Sequence, residues 1–367
     1  MKEVHPKTVH GIVNRRTGTF SYQAWPTICR NDKGELFVVY SGMRIGHICP
    51  FGKTILQKSS DSGNTWSMPV IVNDSALDDR DAGIVSLGEE KLLVTWFCHP
   101  ARMYLEDYYE SIRMTGTEYE STISMMQLET FKDLEREEGA GGSFIRISKD
   151  NGMTFGDAIK VPVSSPHGPN ILSDGTIAYL GKSMYTDQEE DGVIALYTSS
   201  DGGATWTRKS YIDLPEGYSF DNFHEPHILE LSKGVLLGAI RCQSTPKDKD
   251  QNMFTVFTYF SYDSGNTWTV PKPTHLKGSP PHLMLHSSGA VIMSIGRRVA
   301  PFGIRTVVSY DGGNTWQDEY ILKDDAPDWD LGYPATTELD DGSLITVYYM
   351  KCKGDRKTSI LYTKWRL

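Results

Sequence analysis

Short runs of β-branched and aromatic residues recur along the chain, each closed by a turn signal. The runs TILQKSS, FTYFSY and RTVVSY each lead into the same eight-residue pattern, S-x-D-x-G-x-T-[WF], and a new apolar run follows. The pattern occurs five times: Ser59 to Trp66, Ser148 to Phe155, Ser199 to Trp206, Ser261 to Trp268 and Ser309 to Trp316. In every copy the aspartate can accept hydrogen bonds from its own turn, the glycine supplies a positive φ, and the final aromatic packs between sheets. The predicted role of Asp61, Asp150, Asp201, Asp263 and Asp311 is therefore to hold hairpins, not to do chemistry.

A second repeat lies upstream of each box. A strand opens at a proline or glycine, continues through apolar residues, turns at a D-G or K-G pair such as NDKGEL, LSDGTI, LSKGVL or DDGSLI, and returns. The openings are Ala24-Trp25-Pro26, Arg80-Asp81-Ala82-Gly83, His167-Gly168-Pro169, His224-Glu225-Pro226, Ser279-Pro280-Pro281 and Gly332-Tyr333-Pro334. Six openings predict six blades of about four short strands, an all-β six-bladed propeller in one domain spanning residues 1–367. The sixth blade lacks a box, and a strand around residues 8–14 is expected to close its outer edge. One segment breaks the period. In 101–142 Met, Leu, Tyr and Phe recur at helical spacing between charges, which predicts one or two helices inserted in blade two. Such an insertion lies over a site or forms an oligomer contact, so a homo-oligomer is one expectation.

Composition narrows the function. The formal net charge is −10, which disfavours nucleic acid, and no run of about 20 apolar residues suggests a membrane span. The N-terminus lacks the apolar run of a signal peptide. The five cysteines are scattered without a C-x-x-C pair, so reduced thiols and a cytoplasmic location are expected. The histidines are spread singly, without H-E-x-x-H spacing, and neither metal nor cofactor is expected.

In a propeller the first strand of each blade runs beside the axis, so the six openings converge on one shallow pocket. That places Trp25, Arg80, Asp81, His167, His224, Glu225, His282 and Tyr333 around a common space. Arg44, Arg102, Arg241, Arg297 and Arg298 stand at the ends of the second strands. Arginines, carboxylates, aromatics and a tyrosine in one pocket suit a polar, acidic ligand. For each of these side chains the alternative is that it merely satisfies backbone groups at the propeller mouth.

These motifs resemble those of the sialidase (neuraminidase) superfamily with its BNR, or Asp-box, repeats. The stretch His224-Glu225-Pro226 through Arg241 resembles the segment that carries the family's glutamate and second carboxylate-binding arginine. Arg305, just before a box, resembles the third arginine, and Gly332-Tyr333-Pro334 resembles the segment with the nucleophilic tyrosine. Asp81 stands where the family has a substrate-contacting aspartate. The chain departs from the family at two places. Trp25 occupies the position of the first arginine, and the loop from Arg44 through His47 to Cys49 has no carboxylate where the acid/base aspartate belongs. Arg44 is the candidate to replace that guanidinium, and His47 the candidate to replace the acid.

The resemblance implies a retaining exo-glycosidase acting on a terminal acidic sugar of a glycan. Tyr333 would be the nucleophile and Glu225 its base, with His47 or Asp81 as proton donor. Arg241, Arg305, Arg44, Arg80, Arg297, Trp25, His167 and His224 would contact substrate. Two alternatives stand beside it: a glycan-binding propeller without hydrolysis, and an exo-glycosidase for a neutral sugar that works through a His/Asp acid–base pair.

Overall fold

The structure, a computed structural model, describes residues 1–243 and 254–367. Its strands form six antiparallel sheets around one axis. Blade 1 runs outward from Tyr22–Arg30 through Leu36–Arg44 and Lys53–Ser59 to Val70–Asn73. The other blades repeat that order. The sixth is the exception, because its outermost strand is Val9–Asn14, paired antiparallel with Thr358–Trp365. The N-terminus thus closes the ring, as the missing sixth box predicts. A further short strand, Lys2–Val4, adds in parallel to the edge of blade 5, so one N-terminal segment fastens two blades.

The apolar core is divided into layers. Six clusters of buried side chains each fill the wedge between neighbouring blades, and a seventh lies under the insertion. The box aromatics sit in these wedges: Trp66 between blades 6 and 1, Phe155 between 1 and 2, Trp206 between 2 and 3. Trp268 and Trp316 continue the series. Between blades 5 and 6 no box is available, and the buried Trp365 takes the place, its ring 5.1 Å from Tyr320 and its Nε1 donating to Thr346. Each box aspartate lies in the turn between the third and fourth strands. In blade 1 the Ser59 hydroxyl donates to Asp61, the Thr65 amide and hydroxyl donate to the same carboxylate, and the Gly63 amide donates to Ser59. The same bonds recur at Asp150, Asp201, Asp263 and Asp311.

The insertion of blade 2 holds three α-helices where the spacing predicted one or two: α1 (Ala101–Leu105), α2 (Tyr109–Arg113) and α3 (Glu118–Phe131). The first two are single turns, too short to leave a periodic signature in sequence. Thr117 and Glu120 form a reciprocal capping box that starts α3. Trp96, Tyr104, Ile112, Leu128 and Phe131 form the buried cluster beneath, against Ile48 from the blade 1 loop. Glu120 also pairs with Lys357 of blade 6, so the insertion is tied down on both sides.

Since Trp365 takes the place of a box aromatic at its interface, Trp365→Ala should cost about 3–5 kcal/mol. A denaturant midpoint shift will read it. A loss under about 1 kcal/mol would mean that the blade 5–6 layer is held by other contacts.

Candidate functional site

At one end of the axis, four blades open their innermost strand with a residue in the left-handed region. These are Trp25 (φ 55°), Asp81 (φ 49°), Glu225 (φ 56°) and Tyr333 (φ 48°), and each falls in a break of strand register. Blade 3 has Gly168 at that place. Such bulges cost roughly 1–3 kcal/mol each for a non-glycine residue and re-aim its side chain. Proline follows at positions 26, 226 and 334, which suits a bulge because the amide there has no ladder partner. Three chemically active side chains and Trp25 are thereby brought to the axis.

The central contact joins blades 4 and 6. The Tyr333 hydroxyl donates to Glu225 Oε1, and Arg241 donates to Glu225 Oε2 at 2.8 Å. Burial opposes ionisation of Glu225, but Arg241 and the tyrosine hydroxyl outweigh it, and the carboxyl sits below its ordinary value. Burial, followed by the negative Glu225 and Asp81, raises Tyr333 well above 10. The pair is therefore a neutral phenol bonded to a carboxylate. Arg241 extends to Gln243 and lies 5.3 Å from the Phe254 ring.

Asp81 is buried, and its Oδ1 has no hydrogen-bond partner among the described residues. Burial pushes its carboxyl up to about 7; Arg80 opposes the rise and Glu225 adds to it. A carboxyl in that range holds its proton near neutrality and can give it up. His47 is the other proposed acid. Its Nδ1 lies 3.2 Å from Asp330 and 2.9 Å from the Tyr22 hydroxyl, and its ring stands 5.2 Å from Trp25 and 6.1 Å from the exposed Trp329. Burial lowers its pKa despite Asp330, so near neutrality it carries less acid than Asp81.

Not every residue expected at the pocket reaches it. Arg44 is fully buried and turned onto Asp78, with one bond at 2.8 Å and a second shorter one, because an unpaired guanidinium could not stay dry. Arg80 joins the same carboxylate at 3.1 Å and lies 4.2 Å from the Trp25 ring. Arg305 bonds to the carbonyls of Ile304 and Lys323, beside Glu319 at 3.8 Å, on the outer side of blade 5. Arg297 donates to the carbonyls of Val299 and Ala300. The blade 5 guanidinium over Tyr333 is Arg298, 5.5 Å from the ring and bonded to the Leu331 carbonyl and the Tyr349 hydroxyl. One position separates it from Arg297, the last residue of its strand, and Arg298 lies just beyond the strand's end. His224 stays at the rim, near Lys182 at 3.4 Å, with burial holding it down to about 4.

His167 lies deeper, 6.4 Å from Tyr333, and meets His227 and His282 at 5.6 and 5.0 Å. The three rings plug the channel above a cavity of about 470 Å³ that opens on the opposite end. Backbone amides of Leu283 and Thr336 donate to Nδ1 of His227 and His282, so that nitrogen is an acceptor in both rings. Among the described residues no group of three or more His, Cys, Asp or Glu is placed to hold a metal.

A ring of six blades, five of them carrying a box, with a tyrosine–carboxylate–arginine chain at one mouth, defines a sialidase-like propeller. The chain belongs to the BNR repeat-like domain family, whose signature matches residues 128–347. Among curated proteins none matches it. A solved structure of a Dyadobacter fermentans protein of unknown function superposes with a TM-score of 0.75 at 20 % identity, covering 98 % of this chain and 99 % of the other. The NanB sialidase of Streptococcus pneumoniae gives 0.70 at 16 % identity over 97 % and 70 %. An α-L-arabinanase of Penicillium chrysogenum gives 0.61 at 13 % identity over 97 % and 98 %. These likenesses show the fold, a six-bladed propeller of the sialidase-like kind.

Burial holds the three channel histidines neutral, His282 down to about 3 and the other two well below 6.5. The unfolded chain takes up these protons below pH ~6.5 and the fold does not, so stability falls as pH drops from about 6.5 toward 3. Each histidine costs about 1.4 kcal/mol per pH unit in that window. Tm measured from pH 7 to 5 should fall, and His282→Asn should flatten the slope. An unchanged slope in that variant would remove the histidines as the cause.

Proposed function

We propose that the protein is a retaining exo-glycosidase that releases a terminal acidic sugar from a glycan. The observation that carries this reading is the Tyr333–Glu225–Arg241 chain beside the buried Asp81, whose carboxyl burial pushes up to about 7. As the Tyr333 oxygen bonds to the anomeric carbon, its proton passes to Glu225 and the Asp81 proton goes to the departing glycosidic oxygen. Asp81, now a carboxylate, then takes a proton from water as that water's oxygen attacks the same carbon. Tyr333 leaves and recovers its proton from Glu225. A neutral phenol suits a substrate whose own carboxylate lies beside the anomeric centre, since an anionic nucleophile would be repelled. Arg241 and Arg298 are the guanidinium groups that could hold that carboxylate. Trp329, 54 % exposed at the rim beside His47, offers an aromatic face to a sugar ring.

A second reading, a neutral sugar, is favoured by one observation. Trp25 stands in place of an arginine and Arg305 faces away, so fewer cations meet the pocket than a carboxylate-gripping site would use. Turnover of a panel of sialosides, uronides and neutral aryl glycosides separates the two. Arg298→Lys should raise KM for the acidic substrate alone and leave Tm unchanged. An equal effect on neutral glycosides would favour the second reading.

Tyr333→Phe removes one hydroxyl and should abolish turnover with the fold intact. Glu225→Gln should cost about 10²–10⁴-fold in kcat, the usual worth of a positioned base. The double variant should be scarcely worse than the worse single one, because the two act as a unit. A fluorinated glycoside should label Tyr333, as peptide mass spectrometry will read. Near-normal turnover by Tyr333→Phe would end the tyrosine mechanism.

The pH profile follows from the two carboxyls. Asp81 must keep its proton, so kcat/KM should fall about tenfold per unit above pH ~7; Glu225 must lose its own, so the acid limb should lie below the ordinary glutamate range. A flat profile from pH 6 to 9 would exclude Asp81 as the acid.

A further inference from the structure

Asp78 lies three residues before Asp81 and takes no part in the chemistry above, yet it is the most heavily bonded buried carboxylate among the described residues. Arg44 bonds to both its oxygens, Arg80 to Oδ2 at 3.1 Å, the Tyr104 hydroxyl to Oδ2 at 2.9 Å and the Gly52 amide to Oδ1 at 2.9 Å. Asp78, Arg44 and Tyr104 have no exposure to solvent. Tyr104 belongs to α1, so the inserted helices form the roof that keeps this cluster dry.

The cluster is unbalanced, with two guanidinium groups on one carboxylate. Both also lie near Asp81, and removing the one negative charge that binds them would leave two uncompensated cations beside it. We propose that Asp78 is a positioning residue for the acid. By holding Arg44 and Arg80 onto itself under the roof of the 101–142 insertion, it keeps positive charge off Asp81, which therefore meets substrate carrying its proton. The inference rests on the glycosidase reading for the use of that proton, and on the bonds themselves for the charge balance.

Asp81 is faced from several elements. Arg80 stands on its own strand and Asp78 in the segment before it, while Arg44 comes from blade 1 and Glu225 from blade 4. Tyr333 and Tyr349 of blade 6 complete the surround. Arg80 and Arg44 favour the ionised form, whereas burial, Glu225 and Asp78 favour the neutral one. Asp78 and Arg80 thus act on Asp81 with opposite signs, so replacing each should move its titration in opposite directions.

The experiment uses that opposition. Asp78→Asn leaves two unneutralised cations and should move the alkaline limb of kcat/KM down by about one pH unit, roughly a tenfold loss at pH 7.5. Arg80→Gln removes the stronger of the two cations acting on Asp81 and should move the limb up. Because Asp78→Asn could fail to fold, a melting curve accompanies each variant, and Arg80→Gln alone still reads the sign. Carbon-13 NMR titration of the Asp81 carboxyl, free of substrate, should follow the same two shifts. Limbs and titrations that stay in place, or that move the same way in both variants, would overturn the inference. No turnover by the native protein on any glycoside of the panel would sink the glycosidase reading instead, and the titration would still report the charge balance.

Discussion

Closure of the ring is the constraint on which the rest depends. A four-stranded blade has an apolar face on each side and cannot bury either alone, so every blade needs two neighbours. The last gap is sealed when Val9–Asn14 adds to blade 6, while Lys2–Val4 pins the same segment to blade 5. Only a closed ring brings the six strand openings around one axis. The contacts that matter for chemistry run between blades far apart in sequence, as between Tyr333 and Glu225.

Around that axis the backbone is held in conformations it would not choose. Glu225, Tyr333, Asp81 and Trp25 all lie in the left-handed region, and the flanking sheets supply the stability that offsets the strain. The same enclosure sets the proton affinities. Dehydration raises Asp81 and Tyr333, and the one guanidinium bonded to Glu225 pulls that carboxyl the other way. Two carboxyls of similar intrinsic acidity are thereby driven apart, which is the condition for one to act as acid while the other acts as base.

The insertion is a working part of that enclosure. Its apolar underside covers Trp96 and Ile48, and its Tyr104 reaches the carboxylate that gathers Arg44 and Arg80. Without such a roof those guanidinium groups would be hydrated, and their attraction for Asp78 would be far weaker.

The sequence by itself determined the architecture, because box and turn chemistry is local. Asp, Gly and Thr in S-x-D-x-G-x-T bond within a single turn, and six strand openings against five boxes set the blade number and the missing sixth box. It also marked the residues that open each strand, since a proline after Trp25, Glu225 and Tyr333 is visible in one dimension. What it could not decide was which guanidinium turns inward. Arg297 and Arg298 differ by one position, at and just beyond a strand's end, and which of them meets the axis depends on the path the chain takes as it leaves the sheet. Arg44 and Arg305 carry the same charge as Arg241, but a buried Asp78 claims the first and the carbonyls of blade 5 the second. Nor could the sequence place Asp81 near pH 7, since that value depends on how much water the closed ring and the inserted helices exclude. Burial and the company of charges are properties of the assembled ring, and they alone decide which ionisable groups can do chemistry.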